Sequence, residues 1–371
     1  MSKFIPVNEP DLTGNEKKYL VECIDTGWIS SEGPFVEKLE NGMCELTGRE
    51  HAFAVCNGSA ALELAVKAIG IQPGDEVIMP TFTIISCALA VIRAGAVPVY
   101  VDADLDTWNM QIDDIEPLIN SKTKAIMAVH IYGITVDMNP LLKIAKKYNL
   151  KLIEDAAEVI GQTYKERQCG SFGDISTFSF YPNKHVTTGE GGMVLTNDPK
   201  IAEKCKSMRN LCFGKKNRFE HESFGWNFRM SNLQAAVGLA QLERITETIK
   251  KKRAVGEMYR YFLKENNNIK LPLAETSYCE NIYWVFGIIS LQKNNTAKYC
   301  INKMNEKNIG TRPFFHPMHL QTILMDKQNH AYSYKNSEFL SNFGFYLPSS
   351  TTLSEKDIKD ICYKINRIFD K

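Results

Sequence analysis

Between about residues 52 and 196, short continuous apolar runs alternate with stretches in which apolar residues recur every three or four positions. The runs "HAFAV", "DEVIMP", "VPVYVD", "KAIMAVH" and "LKLIEDA" are short and rich in β-branched residues, and they predict strands. The stretches "SAALELAVKAIG", "IISCALAVIRAGA" and "PLLKIAKKYN" carry the helical period. Strands apolar on both faces, separated by amphipathic helices, are what a mostly parallel sheet covered on both sides requires. Turn signals fall where this α/β pattern needs them: "QPGDE" before one strand, "NGSA" opening a helix, "GSFGD" before another strand. Two further strands are expected at 176–181 and 192–196, with a loop between them.

Beyond residue 230 the pattern changes. "MSNLQAAVGLAQLERITETIKKKRAVGEMYRYFL" predicts one long helical stretch leading out of the sheet domain. Its basic run 250–253 follows Glu243 and Glu247, and Glu247 with Lys251 forms a favourable i,i+4 pair, so a solvated helix face is expected rather than a nucleic-acid patch. The rest offers a strand in "YWVFGIISL", a helix in "NTAKYCINKMNEKN", a loop "GTRPFFHPMH" and a closing helix "EKDIKDICYKINRIF", which together read as a smaller α+β unit. A chain of 371 residues exceeds what one core usually supports, and the expected division is a large α/β domain at 1–245, including an N-terminal loop, and a small domain at 246–371.

Composition adds mainly exclusions. With 44% hydrophobic and 23% charged residues and a net charge of +1, nothing draws the chain to nucleic acid or membrane, so any anionic ligand must be held locally. The opening residues lack an apolar signal core and no run approaches the ~20 apolar residues of a membrane span, so a cytoplasmic protein is expected. The ten cysteines are scattered without a C-x-x-C pair and are expected to be reduced and mostly buried. His316 and His319 in "HPMH" have a metal-like spacing but no third ligand cluster, and no metal is expected.

The candidate chemistry centres on Lys184, in the loop of "STFSFYPNKHVTTGEGGMVLTND". A lysine amine can form an imine with a carbonyl cofactor, and pyridoxal phosphate (PLP) is the common one. It needs a phosphate cradle, a carboxylate for its ring nitrogen and a flat contact for the ring. In "CNGSAALELAVKAIG", Asn57 and Gly58 turn the chain and Ser59 opens a helix whose free N–H groups and dipole suit a phosphate, with the Ser59 hydroxyl as a further donor. Asp155, in "LKLIEDAAEVIG", stands at the carboxyl end of a buried strand, the edge where open α/β sheets bind ligands. Singly these residues read as a turn, a helix cap and a solvated lysine; their order along the chain gives them weight together. A nicotinamide-binding reading fails because no G-x-G-x-x-G follows the first strand, and "GEGG" leads into a strand rather than a helix.

Across nearly its whole length, from "IPVNEPDLTGNEKKYLVECIDTGWISSEGPFV" through "PTFTIISCALAVIRAGAVPVYVD", "AVHIYG", "IEDAAE" and "GSFGDISTFSFYPNKHVTTGEGG" to "FRMSNLQAAVGLAQLER", the chain resembles the DegT/DnrJ/EryC1/StrS sugar aminotransferases. The resemblance implies a type I, aspartate-aminotransferase-like fold and a PLP-dependent transamination that passes through pyridoxamine phosphate. It implies that Lys184 is the Schiff-base lysine and proton shuttle, that Asp155 is the partner of the pyridine nitrogen, and that Gly58, Ser59 and Ser179 bind phosphate. Asn227, in "GWNFRMSN", matches a residue that reaches the phosphate from a neighbouring subunit, implying a homodimer with shared sites. Glu158 stands where many relatives carry His or Gln near the ring hydroxyl and is kept as a cofactor contact. The ring-stacking aromatic of many relatives is Ile84 here, and Phe82 is the alternative. His185 follows the lysine, so a register one residue later would give the histidine of the dehydratases; the "SF-YPN-K" spacing places lysine there instead.

Three segments, 25–34, 214–226 and 311–319, match stretches that line the sugar-nucleotide site in relatives. They offer Trp28 for an apolar ring face, and Arg218, Arg229, Arg312 or His316 for phosphates. His185 is a wall of that pocket or simply packed. Within the family, the N-terminal phrasing and "FSFYPNKHVTTGEGG" look most similar to enzymes that aminate C4 of GDP-4-keto-6-deoxymannose with L-glutamate. A UDP- or dTDP-linked keto sugar, a small phosphorylated ketone such as dihydroxyacetone phosphate, a dehydration, and a non-catalytic PLP-binding regulator remain as alternatives.

Overall fold

The structure, a computed structural model, describes residues 4–214, 216–221, 223–327 and 333–369. Lys215 and Glu222 of the 214–226 segment, Met1, Ser2 and Lys3 of the 1–245 unit, and 328–332, Asp370 and Lys371 of the 246–371 unit lie outside the described residues. Two helices lead in, α1 (Glu16–Thr26) and α2 (Pro34–Thr47). Then come β1 (His51–Val55), α3 (Gly58–Ala68), β2 (Glu76–Pro80), α4 (Ile85–Arg93), β3 (Val97–Val101), β4 (Thr123–Val129), α5 (Met138–Lys147) and β5 (Lys151–Asp155). A small ribbon of β6 (Thr163–Tyr164) and β7 (Arg167–Gln168) precedes β8 (Ile175–Ser179), β9 (Gly192–Thr196) and α6 (Pro199–Met208).

The main sheet has seven strands in the order β1-β9-β8-β5-β4-β2-β3. Only β9 runs against its neighbours, pairing antiparallel with β1 and β8. The remaining pairs are parallel, with Ile153 opposite Ile175 and Met127 on either side of β5. Helices cover both faces, so the strands are buried almost throughout and read in the sequence as unbroken apolar runs. Because β1, β2, β4, β5 and β8 share one direction, Val55, Pro80, Val129, Asp155 and Ser179 emerge along one edge, and the loops after them meet there.

The later part contains α7 (Asn232–Leu242), α8 (Ile245–Leu263), β10 (Ile269–Lys270), β11 (Phe286–Ser290), α9 (Ala297–Asn305), β12 (Arg312–Pro313), α10 (Lys335–Phe343), β13 (Gly344–Leu347) and α11 (Glu355–Phe369). Its antiparallel sheet has the order β10-β11-β13-β12. On α11, Ile358, Ile361, Cys362, Ile365 and Ile368 recur at helical spacing and bury one face in the same core as Val255, Tyr259 and Leu263 of α8. The N-terminal segment joins this unit, with the Ile5 N–H donating to Asn308 O at 2.9 Å and the Gly310 N–H to Ile5 O at 2.8 Å.

Three local features differ from the sequence expectation or escaped it. The stretch 230–263 forms two helices: Ser231 and Gln234 make a reciprocal capping box that starts α7, and Arg244 leaves the helical path at φ −110°. Its guanidinium turns to Asp11 at 3.4 Å and Glu247 at 3.3 Å. The helix α1 escaped the pattern because Val21 and Ile24 remain exposed, so no buried stripe marks it. Strands β10 and β12 have two residues each, too few to show alternation. All ten cysteines are free thiols, buried except for Cys44 and Cys56, and no helix among the described residues is long and apolar enough to cross a membrane.

Candidate active site

Lys184 lies between β8 and β9 in a loop held by its own backbone. The Phe180 N–H donates to Gly191 O at 2.8 Å, the Thr188 N–H to Phe180 O at 3.0 Å and the Lys184 N–H to Tyr181 O at 2.9 Å. The Lys184 side chain is only 10% exposed, and its Nζ lies 3.6 Å from Glu158 Oε1. On another side the amine faces the Trp284 ring, 3.7 Å from its centroid. Burial pushes the Lys184 amine below the usual lysine range, against the pull of Glu158 and Asp155 toward the charged form. The same burial raises the Glu158 carboxyl to about 7, although Lys184 and the Tyr132 N–H oppose it. An amine held below its usual range gives up its proton more readily than a free lysine, and the Glu158 carboxyl beside it titrates near neutrality.

Glu158 is fixed from its other oxygen, which accepts the Tyr132 N–H at 2.8 Å. Tyr132 adopts φ 54°, unusual for a residue with a side chain, and its hydroxyl accepts the Phe315 N–H at 3.2 Å. Asp155 ends β5 with a buried carboxylate that accepts the Ala157 N–H at 3.1 Å and the Cys87 thiol at 3.4 Å. Burial raises its pKa, opposed by those two donors and by Lys184. A buried carboxylate wants a cationic N–H partner, and the pyridinium of PLP is a suitable one.

Two helices begin side by side at the carboxyl edge of the sheet. Asn57 caps α3 by accepting the Ala60 N–H at 2.8 Å, leaving the N–H groups of Gly58 and Ser59 for an anion. The Ser59 and Ser86 hydroxyls are 2.8 Å apart, joining the first turns of α3 and α4. A Cβ on Gly58 would sit 2.7 Å from Ser179 Cβ, so glycine is what lets the start of α3 meet the end of β8. The residues present therefore fit PLP: hydroxyls and free amides for phosphate, a buried acid for the ring nitrogen and an enclosed amine for the carbonyl carbon.

Phe82 and Ile84 occupy different environments. Phe82 is 0% exposed and makes edge contacts with Tyr132, Phe314 and Phe315, whereas Ile84, the N-cap of α4, is 44% exposed. His185 is buried, with Nε2 3.4 Å from Ile282 O and Nδ1 without a partner, and burial pushes its pKa down to about 3. Asn227 is exposed on a segment running beside the end of β1, where the Cys56 N–H donates to Phe228 O at 2.8 Å. Arg229 on the same segment bonds Asn210. Trp28 presents an exposed ring while its carbonyl accepts from Asn232 Nδ2 at 2.6 Å. Arg218 lies over the Phe213 ring, Arg312 is exposed on β12, and His316 Nε2 is 3.2 Å from Leu320 O.

Sequence reasoning did not single out Ser86, Cys87, Tyr132 or Trp284. A serine in the first turn of an otherwise apolar helix was a usable signal for Ser86. The other three are given meaning only by the residues packed against them. Among the described residues, His130, Glu154 and Cys169 bring three possible metal donors within 4.8 Å. Glu154 commits its oxygens to the Gly170 and Phe172 N–H groups at 2.6 and 2.8 Å and to His130 Nε2 at 3.1 Å. His130 Nδ1 accepts the Val136 N–H at 2.9 Å, so the group is a satisfied hydrogen-bond network.

The profile of the DegT/DnrJ/EryC1/StrS aminotransferase family matches residues 10–366. The chain is 42% identical over 368 residues to a GDP-perosamine synthase of Escherichia coli O157:H7, covering 99% of both proteins. It is 40% identical over 373 residues to a GDP-perosamine synthase of Vibrio cholerae, again covering 99% of each. The solved structure of Helicobacter pylori PseC, an aminotransferase involved in the biosynthesis of pseudoaminic acid, superposes with a TM-score of 0.94 at 25% identity, over 99% of this chain and 100% of that one.

Proposed function

The chain belongs to the DegT/DnrJ/EryC1/StrS aminotransferase family and is a PLP-dependent aminotransferase of type I fold, and from that premise we propose that it transfers the amino group of L-glutamate to C4 of GDP-4-keto-6-deoxymannose. We place this reaction in the cytoplasm, in a homodimer with shared sites, serving synthesis of a surface polysaccharide such as capsule or O-antigen. The observation that carries the chemistry is the enclosed Lys184 amine, 3.6 Å from Glu158 and electrostatically coupled to Asp155. The choice of acceptor rests on end-to-end likeness to relatives named for making GDP-perosamine.

PLP, when bound, supplies an electron-withdrawing ring that stabilises the negative charge left when a proton leaves the amino carbon. The protein's part is to bind, orient and move that proton. Gly58 and Ser59, with the Ser86 and Ser179 hydroxyls, hold the phosphate, and Asn227 of the partner subunit completes the cradle. Asp155 keeps the ring nitrogen protonated, and the Cys87 thiol orients the carboxylate. Ile84, with its open face, packs against the ring, since Phe82 is closed in by three aromatic rings. Glu158 meets the ring hydroxyl. Lys184 would hold the cofactor through its Nζ at rest and, once released from it, would be the group that takes up and returns the proton. Trp28, Arg229 and His316 contact the sugar nucleotide, and His185, neutral at working pH, is a wall behind the lysine. The large unit at 1–245 brings the cofactor residues and the small unit at 246–371 brings His316.

Mass spectrometry after incubation with PLP, L-glutamate and GDP-4-keto-6-deoxymannose tests this. The expected result is a GDP-linked amino sugar with an equal amount of 2-oxoglutarate, both abolished by Lys184→Ala. Consumption of glutamate with the sugar untouched would remove the acceptor, and loss of water without 2-oxoglutarate would indicate a dehydratase.

A further inference from the structure

Trp284 lies two residues before β11, and its ring, its indole N–H and its carbonyl are all committed around the Lys184 loop. The ring is 4% exposed, 5.7 Å from the Tyr132 ring, and presents its face to Lys184 Nζ at 3.7 Å from the centroid. The indole Nε1 donates to Asn183 O at 2.8 Å, fixing the chain one residue before the lysine. The carbonyl accepts from Lys252 Nζ at 2.6 Å, and Lys252, buried in α8, gives a second bond to Ser349 O at 2.6 Å. One residue thus links the lysine loop, the last long helix before the small sheet and the turn after β13.

We propose that Trp284 is a positioning residue that parks the Lys184 amine in its ammonium form whenever it is not joined to the cofactor, its ring face holding the charge and its N–H holding the loop. The physical basis is selectivity for charge. The negative face of an indole attracts a cation within about 6 Å, most strongly where water is excluded, and attracts a neutral amine far less. Protonated Lys184 is therefore held between the ring and Glu158; once it gives up its proton, the hold on Nζ weakens and the neutral amine is free to swing. The other titratable groups around the amine are Asp155, Cys87 and His185, with Lys252 behind Trp284. Of these neighbours, the carboxyls of Glu158 and Asp155, the Cys87 thiol and the indole favour the charged amine, and the indole is the one that does so without a titratable group.

This inference rests on Lys184 being the reactive amine, and its test is read on the apoprotein, so failure of the proposed acceptor leaves it standing. The pKa of the Lys184 amine is measured by competitive acylation across the neutral to alkaline range, with the Lys184 peptide quantified by mass spectrometry. Trp284→Leu removes the ring face and is expected to lower that pKa by about one unit, the size of a cation–π contact in an enclosed site. Trp284→Phe keeps a face while losing the N–H, and is expected to restore most of the value even though the loop bond to Asn183 is gone. An unchanged pKa in Trp284→Leu, or equal shifts in both variants, overturns the proposal. If Trp284→Leu does not fold, the natural chain grown with 5-fluorotryptophan tests the same point with packing preserved. The weakened ring face is expected to lower the Lys184 pKa, and an unchanged value overturns the proposal.

Discussion

Lys252 shows most simply what burial does to a single charge in this protein. Burial alone lowers its amine from 10.5 to about 7, because among the described residues its hydrogen-bond acceptors are two neutral carbonyls. Between those two values the unfolded chain binds the proton more tightly than the folded one, so stability contributed by this group rises with pH. Below pH 7 both states are protonated and the full penalty stands; toward pH 10.5 it is relieved. Lys252→Met carries no such titration. The unfolding free energy of the natural protein relative to Lys252→Met, from urea denaturation at a series of pH values, should therefore climb by up to about 1.4 kcal/mol per pH unit above neutrality. A flat difference would show that Lys252 keeps an ordinary pKa in the fold. Glu158, raised to about 7, acts in the opposite sense below neutrality: the folded state binds its proton more tightly, and stability falls as pH climbs from 4.5 to 7. Glu158 and Lys184 are present in both proteins and cancel in the difference, which therefore isolates Lys252.

Among the elements, the site depends on helix starts meeting strand ends. The first turns of α3 and α4 converge at the Ser59 and Ser86 hydroxyls, so two helix dipoles point their positive ends toward one region. That convergence requires α3 to begin against β8, which Gly58 permits. Gly58→Ala places a methyl 2.7 Å from Ser179 Cβ and 2.9 Å from its hydroxyl, closer than the two elements can tolerate without parting. Titration of the apoprotein with PLP should show at least about tenfold weaker binding for Gly58→Ala, the loss of roughly one charge-assisted hydrogen bond. The far-ultraviolet circular dichroism should be unchanged, since alanine suits a helix interior. Undiminished affinity would mean that the cradle does not hold the phosphate. The connection from β8 to β9 is a second device of this scale: β9 returns antiparallel, and the closed loop between them presents Lys184 at the carboxyl edge of the sheet.

For the whole molecule, the open question is which residues of a site come from one chain. Asn227 is exposed although its segment pairs beside β1, the arrangement expected of a residue that serves a neighbouring subunit. Mixing inactive Lys184→Ala with inactive Asn227→Asp under conditions of subunit exchange tests this. Hybrid dimers with shared sites carry one intact site and should recover up to about a quarter of the natural activity, given random pairing. No recovery would place Lys184 and Asn227 in the same site of one chain. Much of the fold was legible beforehand, because strands buried on both faces must be continuously apolar and the helices between them must carry one apolar stripe. The order of Gly58, Ser59, Asp155 and Lys184 after those strands was legible for the same reason: parallel strands bring their carboxyl ends to one edge, so position along the chain already implies proximity. What the pattern could not carry was any contact set by packing between distant segments. The break at Arg244 follows from its reach to Asp11, the enclosure of Phe82 from Phe314 and Phe315, and the partners of Lys184 and Asp155 from Trp284 and Cys87. A tryptophan one hundred residues from the lysine it covers has no periodicity to announce it; its place is decided by how the small sheet packs against the large one, which only the tertiary structure fixes.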